Sequence, residues 1–136
     1  MKRKIFSILI FSVTLLLIGC SSSKANLPLH GFYQSDAVNG YHVQISFNKT
    51  DNSFVEYIDN RQVDKGMYEI LNKDNTYKLS SDGQNFEISL KEDNSFDLTI
   101  NQLNKGKPIN MKNISDIPSS FGTKFDDIEE YKKLLD

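Results

Sequence analysis

From Tyr41 to Ile100 the chain returns again and again to one rhythm, an apolar residue at every second position. Tyr41, Val43, Ile45 and Phe47 alternate with His42, Gln44 and Ser46. The same beat runs through Tyr77 and Leu79, through Phe86, Ile88 and Leu90, and through Phe96, Leu98 and Ile100. Successive side chains of a strand point to opposite faces, so each stretch buries one face and wets the other. Helical spacing fits none of them as well. Polar clusters separate the stretches, at 48–52, 59–61, 72–75, 81–84, 92–94 and 104–107, with centres about every 10 to 12 residues. They are rich in Asn, Asp and Gly, which tolerate positive φ or bond their own backbone. Asp82-Gly83 is the clearest signal for a two-residue hairpin.

These marks predict eight strands, at about 31–36, 41–48, 53–59, 63–72, 75–80, 84–91, 95–102 and 107–113. Loops this short make each strand pair with its sequence neighbour in an antiparallel meander. The expected fold is all-β with one short C-terminal helix, an eight-stranded antiparallel meander barrel that leaves no exposed edges. A strongly curved half-open sheet is the alternative. After Ile117-Pro118 the pattern changes. Phe125, Ile128, Tyr131, Lys132 and Leu135 form a helical stripe, with acids early and lysines late as the helix dipole prefers. A helix over about 125–135 is expected, opened by a capping box from Thr123 to Asp126.

The N-terminus has another character. Lys2, Arg3 and Lys4 precede Ile5–Ile18, an almost wholly apolar run of 14 residues. As a helix it would reach about 21 Å, at roughly 1.5 Å per residue. A membrane span needs roughly 20 residues, so the run reads as the core of a secretory signal peptide. Leu17-Ile18-Gly19-Cys20 resembles the lipobox of bacterial prolipoproteins. The resemblance implies cleavage between Gly19 and Cys20 and a diacylglycerol thioether on Cys20, the only cysteine in the chain. A thiolate suits thioether formation, and a small Gly19 admits a protease. Doubly or triply acylated, such a chain holds stably to a bilayer, whereas one acyl chain binds marginally. The expected division is 1–19 signal peptide, 20–28 lipidated Cys20 and polar tether, and 29–136 barrel domain with its helix.

Composition supports that division. Beyond Gly19 the balance is 13 Lys+Arg to 18 Asp+Glu, a net charge of −5. An acidic chain does not suit nucleic acid, nor would an anionic membrane draw it, so lipid must do the anchoring. With Cys20 acylated no disulfide can form, and the domain must rely on packing.

Leu29, His30, Gly31, Phe32 and Tyr33 open the first strand. A Gly followed by two aromatics, ahead of a strand meander and a late helix, resembles the start of a calycin, the superfamily that includes the lipocalins. Lipocalins carry Gly-x-Trp there; this chain has Tyr33 in the third position. The likeness is to small, divergent calycin-like lipoproteins of Gram-positive bacteria, and it implies a barrel that binds rather than reacts. Gly31 is equally consistent with a strand start where backbones approach closely.

No catalytic set is evident. His30 and His42 stand apart, without His-x-His or Cys-x-x-Cys spacing, so no metal site and no cofactor are expected. Neither a nucleophile elbow nor a phosphate loop occurs. The acid pairs Asp126-Asp127 and Glu129-Glu130 suit the helix dipole better than acid–base work. Tyrosines give the softest signal: Tyr33, Tyr57 and Tyr68 are the candidate binding surface, because Tyr joins apolar area to a polar tip. In 53–59 and 63–72 apolar residues fall on both faces, so those strands are either covered outside by the helix or offered to a partner. The expected function is that of a lipid-anchored monomer on the extracellular face of the cell membrane. It would be a non-catalytic binding module for a small apolar ligand or an envelope protein, with no nucleic-acid partner. The alternative is a protein-docking inhibitor or regulator of a host defence enzyme or envelope sensor.

Overall fold

The alternation is realised as eight strands: β1 (Gly31–Ser35), β2 (Val43–Asn48), β3 (Ser53–Ile58), β4 (Arg61–Ile70), β5 (Thr76–Ser81), β6 (Asn85–Ser89), β7 (Phe96–Leu98) and β8 (Ile109–Ser115). This computed structural model describes residues 29–71 and 75–136. The signal peptide, the Gly19–Cys20 junction, the Cys20 lipid site and the tether all lie outside the described residues. No helix among the described residues is long and apolar enough to cross a membrane.

All strands are antiparallel, in the order β6-β5-β4-β3-β2-β1-β8-β7. The result is a nearly closed barrel. It departs from the expected meander in one respect, the unpaired neighbours β6 and β7. The sheet rolls up through β1 against β8, with Phe32 opposite Ser115 and Ser35 opposite Met111. Strands β6 and β7, neighbours in sequence, form no ladder and leave a seam. Gly31 sits at φ +92°, and a Cβ there would fall far inside van der Waals contact with the Ser115 carbonyl oxygen. Close approach of two backbones therefore accounts for this glycine.

Turn chemistry follows the asparagines. Asp59 and Asn60 both have positive φ, the two-residue type I′ link between β3 and β4. Asn39 and Gly40 make a similar turn, bridging Val38 to Tyr41. Tyr41 thus belongs to that turn, and β2 begins at Val43. Asp82-Gly83 also joins two strands, with the Ser81 amide bonded to the Gln84 carbonyl at 2.8 Å, but neither residue has positive φ. The expected strand over 95–102 ends at Leu98; a single helical turn, α1 (Asn101–Asn104), replaces its tail and buries Leu103.

Inward residues fill the barrel. Tyr33, Ile45, Phe47, Phe54, Leu79, Phe96 and Met111 are fully buried. Phe47 lies at the centre, with ring centroids 5.6 Å from Tyr33, 5.3 Å from Tyr68 and 6.0 Å from Phe96, each edge to face. Such geometry sets positive ring edges against negative faces.

Beyond β8 the chain runs as a strap across the outside of β1, β2 and β3. The Phe121 ring packs on Tyr57 at 4.9 Å and on Phe32 at 6.0 Å. The Ser119 amide donates to Ser46 Oγ at 2.9 Å. Tyr57 is therefore covered by the strap, not by the helix. The helix is shorter than 125–135: α2 spans Ile128–Lys132, followed by a 3-10 turn, Lys133–Leu135. No capping box forms. Asp127 stands at the N-cap without a capping bond, because its carboxylate takes two hydrogen bonds from Arg61, from Nε and Nη2, each at 3.0 Å.

Arg61 is held on several sides. Its guanidinium lies 4.0 Å from the Phe125 ring centre and 4.5 Å from that of Tyr131, and it donates to the Asp59 carbonyl oxygen at 2.8 Å. The Arg61 hydrogen bonds hold the Asp127 carboxyl below its ordinary range. A depressed acid contributes stability that is present above its unfolded titration range and lost as pH falls through the folded one. Leu134 and Leu135, carried by the same segment, pack against the core at this end of the barrel. Arg61→Ala is expected to free the segment, so that trypsin cuts after Lys124, Lys132 and Lys133 severalfold faster while the strand signature in circular dichroism persists. Unchanged cleavage rates would show that the arginine does not fasten the segment.

Candidate functional site

The three candidate tyrosines do not share a face. Tyr33 is wholly buried inside the barrel, where its hydroxyl donates to Asn94 Oδ1 at 2.8 Å. Tyr68 also points inward and donates to the Leu29 carbonyl oxygen at 2.6 Å. Tyr57 lies on the outer face under Phe121. Phe47 touches both Tyr33 and Tyr68 and links them into one interior cluster. Burial pushes the Tyr33 and Tyr68 hydroxyls up to about 12, so both stay protonated and act as donors.

One residue of the barrel wall breaks the apolar rule. Glu56 stands opposite Ile45 on β2 and Asp64 on β4, between the inward Phe54 and Ile58. It is 1% exposed. Its Oε2 is buried with no hydrogen-bond partner among the described residues. Burial, reinforced by the nearby Asp64 charge, pushes its carboxyl up to about 8. The Asp64 carboxylate accepts hydrogen bonds from Ser81 Oγ at 2.7 Å and from the Lys65 amide at 2.9 Å. The pattern of β3 contains the signal for this site: Phe54, Glu56 and Ile58 recur at every second position, so strict alternation puts the carboxyl on the core face. An apolar outer face, Val55 and Tyr57, masks it.

Two recesses among the described residues lie at opposite ends of the barrel. At the seam between β6 and β7 a cavity of about 310 Å³ has Glu56 in its wall, with Gln84, Phe86, Leu98, Asn101 and Asp136 around it. At the opposite end, where the chain enters at Leu29, an open recess of about 550 Å³ is lined by Leu29, Asn52, Tyr68, Ile70 and Tyr77. The Tyr77 hydroxyl accepts the Leu29 amide at 3.3 Å. His42 is exposed, with Nδ1 3.2 Å from the Ser35 carbonyl oxygen. Among the described residues no three His, Cys, Asp or Glu gather as a metal site would require.

The architecture defines the class: an antiparallel eight-stranded barrel, nearly closed, with a short C-terminal helix, consistent with a calycin-like fold. No protein-family profile matches the chain, and no curated protein and no solved structure matches it significantly.

Proposed function

We propose that this chain is a lipoprotein anchored through a diacylglycerol on Cys20 to the extracellular face of the cell membrane, and that its barrel is a non-catalytic binding module for a small apolar ligand. The recess at the Leu29 end is the observation that carries the binding reading. The central interior is filled by aromatic side chains, so room for a ligand lies at the barrel mouth. There the exposed Ile70 offers apolar surface, with the Tyr68 and Tyr77 rings behind it and the polar Lys49, Asn52 and Glu69 at the rim, the combination that ligand sites use. The tripeptide Lys2-Arg3-Lys4, the apolar run after it and Gly19-Cys20 support the anchor.

Two measurements test the reading separately. Labelled palmitate should enter the wild-type chain and be absent from Cys20→Ala; label on both, or on neither, removes the anchor. Native mass spectrometry with medium-chain fatty acids should give an adduct that Ile70→Asp weakens. Ile70 is 54% exposed, so the change spares the core. No adduct with any chain length would remove the pocket.

A second reading, a protein-docking inhibitor or regulator, draws support from Met67 and Leu71, which are 54% and 41% exposed. Together with the acidic net charge they suit a basic protein surface. Co-precipitation of a basic envelope or host protein that Met67→Asp abolishes would favour this reading over the first.

A further inference from the structure

We propose that the seam between β6 and β7 is a binding site for a small organic cation, a primary ammonium with a short apolar tail, whose charge is met by Glu56. The site differs from the recess at the Leu29 end and does not depend on the anchor. Its first support is the orphaned Glu56 Oε2, buried without a partner in the wall of the cavity. A buried acceptor left unsatisfied costs on the order of 1–3 kcal/mol, more when charged, and a bound group that supplies the missing donor is one physical account of it. Geometry gives the second. Here the barrel is not zipped, since β6 and β7 form no ladder, and the cavity of about 310 Å³ opens between them. At ~30 Å³ per water-sized group it holds roughly ten non-hydrogen atoms.

Lining chemistry selects the ligand. The described residues around the cavity include the carboxylates of Glu56 and Asp136 and the amides of Gln84, Asn85 and Asn101, and no Lys or Arg is among them. Asp64, paired with Glu56 across β3 and β4, adds negative charge from the next strand. Phe86 and Leu98 supply apolar walls for a tail. An ammonium has three donors and no acceptor, the complement of this set. Among the described residues no three His, Cys, Asp or Glu are placed to hold a metal ion, and the apolar walls suit an organic cation better than a bare metal ion. The titratable groups around the bound charge are Asp64 and Asp136. Because Glu56 is mostly protonated at neutral pH when the site is empty, ammonium binding moves its proton to solvent and leaves an ion pair.

Calorimetric titration of the full chain with n-butylammonium at pH 7, in two buffers of different ionisation enthalpy, tests this. The expected result is one saturable site, release of nearly one proton, and at least tenfold weaker binding of 1-butanol. Glu56→Gln should lose the proton release and bind butylammonium at least tenfold more weakly. Should that variant fail to fold, Gln84→Lys at the β5–β6 turn, which brings a competing ammonium to the cavity, should show the same loss. Absence of saturable binding to the wild type, or unchanged affinity in a folded variant, overturns the proposal.

Discussion

Glu56→Gln should raise the thermal midpoint at pH 8 and leave it nearly unchanged at pH 4.5. The folded carboxyl titrates at about 8 against 4.5 in an ordinary setting. Below pH 4.5 both folded and unfolded chains carry the proton, and Glu56 imposes no charge penalty. Between the two values the unfolded chain ionises while the folded one holds its proton. The native state then binds more protons, and stability falls as pH rises. Each unit of separation is worth roughly 1.4 kcal/mol, so the deficit reaches about 3 kcal/mol at pH 7. For a domain of this size that corresponds to a rise on the order of 10 °C in the variant. Gln keeps the shape and cannot ionise, so the gap between variant and wild type should widen from pH 4.5 to 8 and then level off. Parallel curves across that range would mean that Glu56 reaches a compensating partner.

Phe47→Ala should cost about 3–5 kcal/mol, as large-to-small changes at wholly buried aromatics do. Phe47 is 0% exposed. It touches the rings of Tyr33, Phe54, Tyr68 and Phe96, which come from four other strands. Its loss opens a void that none of them can fill without leaving its own packing. Single domains have roughly 5–15 kcal/mol in all, so the variant should unfold at markedly lower urea with an unchanged slope. Phe86→Ala is the control: Phe86 lies half-buried at the seam, and its ring contacts Phe54 at 6.3 Å. It should cost clearly less. Equal effects would show that the barrel centre is no tighter than its seam.

How far the fold can be read in advance depends on how local its cause is. The inward faces of β2, β5, β6 and β7 follow from period-two alternation, and Val43, Ile45, Phe47, Leu79, Ile88, Phe96 and Leu98 are all in the core. Asparagine-rich turns are legible because positive φ is a property of one or two residues. Pairing of β1 with β8 is what closing an eight-strand meander requires, whereas the missing ladder between β6 and β7 is a long-range outcome that no local pattern announces. The single turn of α1 is too short to display a helical period, so Ile100 and its neighbours read as strand. The capping box from Thr123 to Asp126 does not form because the helix starts later, at Ile128, where Arg61, distant in sequence, holds the N-cap Asp127 carboxylate. Of the site, Glu56 was accessible to strict alternation, whereas the seam that reaches it is a consequence of closure. Tyr33, Tyr57 and Tyr68 are recognisable as strand residues, but which face each takes depends on register and on the strap.

Strand β1 is bonded on one side to β2 and on the other to β8. Traction applied along the chain at Leu29 would therefore load two ladders at once in shear, where many backbone bonds must break together. The β6 and β7 edges, each bonded along one side only, would peel open first. Pulled from its first strand, the barrel would thus be loaded away from its two weakest edges.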